Sequence, residues 1–141
     1  MNNSLMAQLQ KIMMVEDDPD IQIVASLALE AVGGFEVLVC SGGNEALERV
    51  DGFAPDLVVL DVMMPGMDGP TVLKHLRERP QTQNLPVVFM TAKAQSHEIA
   101  LYKELGALDV VTKPFDPMML SQTLLEIWNS HLPVAPGVGS P

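Results

Sequence analysis

Short uninterrupted apolar runs alternate along this chain with longer stretches in which apolar residues recur at helical spacing. The runs are Ile12–Val15, Phe35–Val39, Leu57–Leu60, Val87–Met90 and a shorter one near Val110–Thr112. Runs of four or five residues fit strands and are too short for buried helices. Between them, Ile23, Val24, Leu27 and Ala31 share one face of a predicted helix, as do Ala46, Leu47 and Val50 of a second and Val72, Leu73 and Leu76 of a third. Ile99, Ala100 and Leu101 mark a fourth helix, and Met119, Leu120, Leu124, Ile127 and Trp128 a fifth. Strand and helix patterns in strict alternation predict βαβ units, hence an α/β fold around a five-stranded parallel sheet. Leu57–Leu60 lacks any polar residue, as expected of a central strand covered on both faces.

The turn residues agree. Asp18 or Pro19 starts the first helix and Gly33-Gly34 ends it; Gly52 and Pro55 close the second. Ser96 is the expected N-cap of the fourth helix, Gly106 its terminator, and the fifth is expected from about Asp116. The segment Met63-Met64-Pro65-Gly66-Met67-Asp68-Gly69 cannot be regular and forms a loop after the central strand. At 141 residues the chain suits one core, expected over residues 10–131, with a flexible N-terminus at 1–9 and a disordered Pro- and Gly-rich tail at 132–141.

Charge and composition narrow the function classes. A net charge of −10 opposes direct binding to DNA or RNA. Neither a bilayer-length apolar run nor a secretory leader is present, which predicts a cytoplasmic protein. Cys40, the single cysteine, lies within an apolar stretch and is expected as a buried thiol. Met13, Met14, Met90, Met118 and Met119 are expected in the core, and Trp128 half-buried. His75, His97 and His131 are too scattered for a metal site.

Ligands of open parallel sheets bind beyond the carboxyl ends of the strands. There the sequence places Glu16 and Asp17, Asp61, Thr91 and Lys113. Three carboxylates brought together call for a cation between them, and oxygen donors with no His or Cys select a hard ion such as Mg²⁺. Asp17 and Asp61 would be direct ligands, the backbone carbonyl near Met63 another, and Glu16 one through water. A carboxylate beside such an ion and a fixed ammonium can attack a phosphoryl group. Asp61 is then the nucleophile, Lys113 the ammonium, and Thr91 the hydroxyl donor to the new phosphoryl group. Met63, Met64 and Met67 follow Asp61 and could shield that group from water. Taken singly, each of these residues is more often a cap, a turn or a solvated side chain. Their joint placement at strand ends, with Pro114 after Lys113, carries the signal.

Val15-Glu16-Asp17-Asp18, the stretch from Pro55 through Asp61 to Gly69, Met90-Thr91-Ala92, Gly106-Ala107 and Thr112-Lys113-Pro114-Phe115 resemble the response-regulator receiver family. The resemblance implies the flavodoxin-like receiver fold of the chemotaxis receivers, with strand order 2-1-3-4-5 and helices on both faces. It also implies a cis Lys113–Pro114 bond. On this basis the chain is expected to be a phospho-accepting switch of a two-component or phosphorelay system. Asp61 would receive its phosphoryl group from a sensor histidine kinase or histidine phosphotransfer protein. The chain would catalyse its own phosphorylation and dephosphorylation without acting on a separate substrate, and would present a changed surface to a downstream protein. Met1 and the tail favour a stand-alone receiver over a fragment.

One departure stands out: Val110 occupies the position, three residues before Lys113, where the family has Tyr or Phe. Three rival readings fare worse. A dehalogenase-like hydrolase wants a second Asp where Met63 stands, and a flavin mononucleotide binder wants a phosphate loop where Glu16-Asp17-Asp18 would repel it. A binding module that has lost phosphorylation would not be expected to retain every group of the site.

Overall fold

The computed structural model describes residues 8–131. Five strands, β1 (Lys11–Val15), β2 (Glu36–Cys40), β3 (Leu57–Asp61), β4 (Val87–Thr91) and β5 (Asp109–Thr112), form one parallel sheet in the order β2-β1-β3-β4-β5. The helices are α1 (Pro19–Leu27), α2 (Gly43–Phe53), α3 (Gly69–Arg77), α4 (Ser96–Glu104) and α5 (Leu120–His131). Fold class and strand order are therefore those expected, and β3 is the central, fully buried strand.

The two-residue period of the strands divides the core into two layers. Ile12, Met14, Leu57, Val59, Val88, Met90 and Val111 face α1 and α5. Met13, Val15, Val58, Leu60, Val87 and Phe89 face α2, α3 and α4. Glu16, Asp61 and Lys113 continue the pleat of Met14, Val59 and Val111, so three strands deliver these charges on matching phase. Register pairs Val15 with Leu60, Asp61 with Met90, and Thr91 with Thr112, which levels the strand ends.

Several expectations need correction. The stripe Ile23, Val24, Leu27 and Ala31 faces solvent, with Ile23 and Leu27 each 60% exposed. The inner arc is Ala25, Ala28 and Leu29. Two apolar arcs compete on this helix, and the one carrying alanines lets the backbone approach the sheet. There α1 passes into a π-helical turn, Ala28–Val32, and the buried Ser121 hydroxyl of α5 donates to Ala28 O at 3.0 Å. A Cβ on Gly33 would collide with the same hydroxyl, so the glycine permits this junction.

Met118 and Met119 are exposed because α5 begins only at Leu120. The preceding turn is held by Asp116, whose carboxylate accepts the Met118 N–H at 2.9 Å. Leu101 is likewise outside the core; Tyr102 is the residue that α4 buries. Gln95, one residue earlier than expected, caps α4, and its N–H donates to Glu98 Oε1 at 3.0 Å. Gly52 lies within α2, which ends at Ala54 in the left-handed region with φ 52°. Trp128 is buried more deeply than expected, and Cys40 is buried as expected. Leu9, in the segment expected to be flexible, packs into the core; residues 1–7 and the tail at 132–141 lie outside the described residues.

Candidate functional site at the carboxyl edge of the sheet

β1 is sheathed in apolar neighbours as far as Val15 and then releases Glu16 and Asp17 at the sheet edge. The start of α1 fixes them. Asp18 caps that helix, its carboxylate accepting the N–H groups of Asp20 at 2.9 Å and Ile21 at 3.4 Å, with Pro19 in the first turn. The Asp18 N–H donates to Glu16 Oε2 at 3.0 Å, and Gln22 Nε2 donates to Glu16 O at 2.6 Å.

Asp61 ends β3 and is 5% exposed. Its neighbourhood depends on Gly69: the Gly69 N–H donates to Val62 O at 2.8 Å, and a Cβ there would collide with Asp61 O. Only a glycine lets the first turn of α3 close this tightly on the strand end that carries Asp61. Asp68 caps α3 through the Thr71 N–H at 2.9 Å.

The carboxylate oxygens of Glu16, Asp17 and Asp61 lie within 4.8 Å of one another. Among the described residues a single ammonium reaches into the cluster. Lys113 Nζ stands 2.8 Å from Glu16 Oε1 and 3.1 Å from Asp61 Oδ1, and the Lys113–Pro114 bond after it is cis, as expected.

The electrostatics are asymmetric. Burial would lower the Lys113 pKa, but hydrogen bonds and charge from Glu16 and Asp61 outweigh it, and the net shift is upward. Glu16 is also shifted upward, chiefly by burial, with the Asp61 charge adding to it; the Lys113 and Asp18 hydrogen bonds offset only part. Burial thus leaves the Glu16 carboxylate short of compensation even with the Lys113 contact, and the Asp61 charge beside it adds to the deficit. A divalent ion among these oxygens would supply what is missing. An all-oxygen donor set suits a hard cation, so Glu16, Asp17 and Asp61 fit Mg²⁺ on chemical grounds.

Thr91 is 3% exposed at the end of β4, and its Oγ1 accepts the Lys93 N–H at 3.0 Å. The three loop methionines diverge: Met64 is buried, Met67 packs on Gly43 at the start of α2, and Met63 is 64% exposed with its N–H 3.4 Å from Asp61 Oδ1. A joint methionine shield is therefore absent.

Of the residues found by position along the sequence, Glu16, Asp17, Asp61 and Lys113 are brought together, and Thr91 joins them through its backbone, its carbonyl accepting the Lys113 N–H at 2.8 Å. Gly69, Gln22 and the Asp18 N–H were missed as supports, since a glycine, an amide and a backbone donor have no periodic signature. A groove lined by Asp20, Ile21, Val24, Ala92, Lys113, Pro114 and Phe115 adjoins the carboxylates and is almost wholly apolar. No helix among the described residues is long and apolar enough to cross a membrane.

Comparison with known proteins gives a consistent picture. A family model described as "Response regulator receiver domain" matches residues 12–125. The alkaline phosphatase synthesis transcriptional regulatory protein PhoP of Bacillus subtilis (strain 168) is 42% identical over 108 residues, 77% of this chain and 44% of that protein. The DNA-binding response regulator MtrA of Mycolicibacterium smegmatis is 40% identical over 111 residues, covering 79% and 47%. The chain thus spans about half the length of the curated relatives it matches. Among solved structures, the chemotaxis protein CheY4 of Vibrio cholerae superposes with a TM-score of 0.78 at 29% identity, over 85% of this chain and 99% of that one. A putative response regulator from Chloroflexus aurantiacus gives 0.77 at 32% identity, over 86% and 99%.

Proposed function

The chain belongs to the response regulator receiver family, and on that premise we propose that it is a cytoplasmic, Mg²⁺-dependent phospho-accepting switch whose receiver unit is residues 10–131. The observation that carries the proposal is Lys113 Nζ bridging Glu16 and Asp61 within a cluster of three carboxylates.

Asp61 is the acceptor. A carboxylate oxygen attacks the phosphorus of a phosphohistidine, the P–N bond breaks with its electron pair going to the imidazole nitrogen, and an aspartyl phosphate forms. Water attacking the same phosphorus later returns the carboxylate and inorganic phosphate. Asp17, Asp61 and the Met63 carbonyl would hold Mg²⁺, with Glu16 acting through water; the bound ion would supply charge neutralisation for the phosphoryl oxygens. Lys113 is placed to leave Asp61 and follow the phosphoryl oxygens as their charge arrives. The Thr91 hydroxyl, which accepts from Lys93, keeps its own proton to donate to the phosphoryl group. Desolvation around Asp61 and Glu16 strengthens each of these interactions.

The donor is a protein, a histidine kinase or phosphotransfer protein. Supporting this, the apolar groove formed by Ile21, Val24, Ala92, Pro114 and Phe115 abuts Lys113 and continues onto the exposed α1 stripe of Ile23 and Leu27. A small phosphodonor needs no such surface, whereas an apolar helix face presenting a phosphohistidine would cover it. A phosphotransfer protein charged with radiolabelled phosphate tests the reading. Label should pass to this chain, and Val24→Asp should slow that transfer at least about tenfold, as expected for a charge placed in an apolar interface, while affecting acetyl phosphate far less. Equal slowing with both donors would remove the docking role, and no transfer from any phosphohistidine donor would contradict the proposal.

A further inference from the structure

The end of β1 is tied to more of the molecule than the phosphoryl chemistry requires. Gln22, half-buried on α1, commits both amide protons: Nε2 donates to Glu16 O at 2.6 Å and to Ser41 Oγ at 3.2 Å. Glu16 O belongs to the peptide that joins Glu16 to Asp17, and Ser41 follows β2 on the way to α2. One amide therefore links the carbonyl between two carboxylates to a loop from the neighbouring strand.

Ser41 is itself a fixed point. Its N–H donates to Glu45 Oε1 at 2.8 Å, and Glu45 Oε2 pairs with Arg49 Nη1 at 3.2 Å one turn further along α2. Gly42, the N-cap of α2, has no side chain to offer, and Glu45 reaches back past it to Ser41. The Glu16 N–H donates to Cys40 O at 3.0 Å, which sets the residue before Ser41 against the end of β1. The Ser41 hydroxyl oxygen thus meets Gln22 from a frame built by β2 and α2.

What this frame positions is Asp17. Among the described residues no hydrogen bond holds the Asp17 side chain, so its direction follows from the two peptides beside it. The Asp18 N–H pins the following peptide on Glu16 Oε2 at 3.0 Å, and Gln22 pins the preceding one. The first pin hangs on a carboxylate that Lys113 also holds, the second on a neutral amide. A neutral donor orients the carbonyl without bringing a second cation against Glu16, Asp17 and Asp61, whose carboxylate oxygens lie within 4.8 Å of one another.

We propose that Gln22 is a positioning residue for the divalent ion: held by Ser41 Oγ, it fixes the Glu16–Asp17 peptide so that the Asp17 carboxylate meets Asp61, and the β2–α2 loop thereby sets Mg²⁺ affinity. The proposal rests on the Mg²⁺ site of the proposed function. Groups that orient a metal ligand without touching the metal change affinity by about 10- to 100-fold when removed. Gln22 acts here through its two donor hydrogens and not through its bulk, and Ser41 acts only by way of Gln22.

Mg²⁺ affinity of the full chain is measured by calorimetry with no phosphodonor present, and metal-free stability by urea unfolding in chelator. Gln22→Met, which keeps the length and removes both donors, should weaken Mg²⁺ binding about tenfold. Ser41→Ala should weaken it about threefold, the effect of one neutral hydrogen bond. Its urea midpoint should not move, because Ser41 is exposed. The double variant should match Gln22→Met, since both changes cut one chain of contacts. With acetyl phosphate, the Mg²⁺ concentration giving half the maximal rate should rise in Gln22→Met, while the rate at saturating Mg²⁺ falls far less. Unchanged Mg²⁺ affinity in Gln22→Met, a lower urea midpoint without loss of affinity, or independent effects of the two substitutions overturns the proposal. Should Gln22→Met not fold, wild-type affinity in Ser41→Ala overturns it. A wild-type chain that binds Mg²⁺ with this pattern but gains no phosphoryl group by intact mass removes the acceptor assignment and leaves the positioning role; one that binds no Mg²⁺ removes both.

Discussion

At the scale of the residue, the decisive feature is that one ammonium serves two buried carboxylates. Lys113 gains from both contacts, whereas Glu16 stays raised despite its hydrogen bond because burial dominates. Lys113→Ala should therefore slow phosphorylation from acetyl phosphate by roughly 10²-fold, the effect expected when a donor to developing oxyanion charge is removed. Mg²⁺ affinity should hold or rise, since a competing cation has gone. Stopped-flow kinetics beside calorimetric Mg²⁺ titration separates the two effects, and an unchanged rate would remove the role given to this ammonium. The charged members of the site were legible in the sequence because each lies just past an apolar run, where a strand reaches the carboxyl edge of the sheet. Their supports were not. Gly69 matters through an atom it lacks, and only the fold brings Asp61 O to where that atom would be.

At the scale of the element, the strands were read within one residue because an apolar run of four or five has only one way to lie in a covered sheet. Helix α1 was read on its wrong face. Ile23, Val24, Leu27 and Ala31 satisfy the same periodicity as the buried Ala25, Ala28 and Leu29, and the choice is made by closeness to the sheet and the Ser121 bond to Ala28, neither of which is local. The opposite end of β1 shows another nonlocal determinant. Asp56 Oδ2 accepts the N–H groups of Gln10 at 3.0 Å and Lys11 at 2.8 Å, while the Asp56 N–H donates to Lys11 O at 2.8 Å. This carboxylate locks the start of β1 to β3. Asp56→Ala should cost about 2 kcal/mol, from the loss of two charge-assisted bonds. Urea unfolding should show a lower midpoint at constant m-value. Phosphorylation should be intact, because Asp56 lies at the far end of the sheet from Asp61; a loss of acceptor activity in a folded variant would contradict this separation.

At the scale of the whole molecule, a net charge of −10 is concentrated in part where the fold forces carboxylates together. The folded chain holds this cluster at a cost that Mg²⁺ should relieve. Binding to the folded state alone stabilises by about 2.7 kcal/mol at a hundredfold excess over Kd, enough to raise Tm by several degrees. Asp17→Asn should lose most of that rise in a calorimetric scan, and an equal rise in the variant would move the ion elsewhere. The chain corresponds to nearly the full length of the solved receivers it resembles but to about half of its curated relatives, whose names describe regulation of transcription or DNA binding.

On the proposed function, Asp61 accepts one phosphoryl group in a reaction that needs Mg²⁺. Intact mass spectrometry after incubation with acetyl phosphate tests it most directly. The wild-type chain should gain one phosphoryl group, a gain lost on chelation of Mg²⁺ and absent from Asp61→Asn. A wild-type mass that does not change, or a gain that survives in Asp61→Asn, would contradict it.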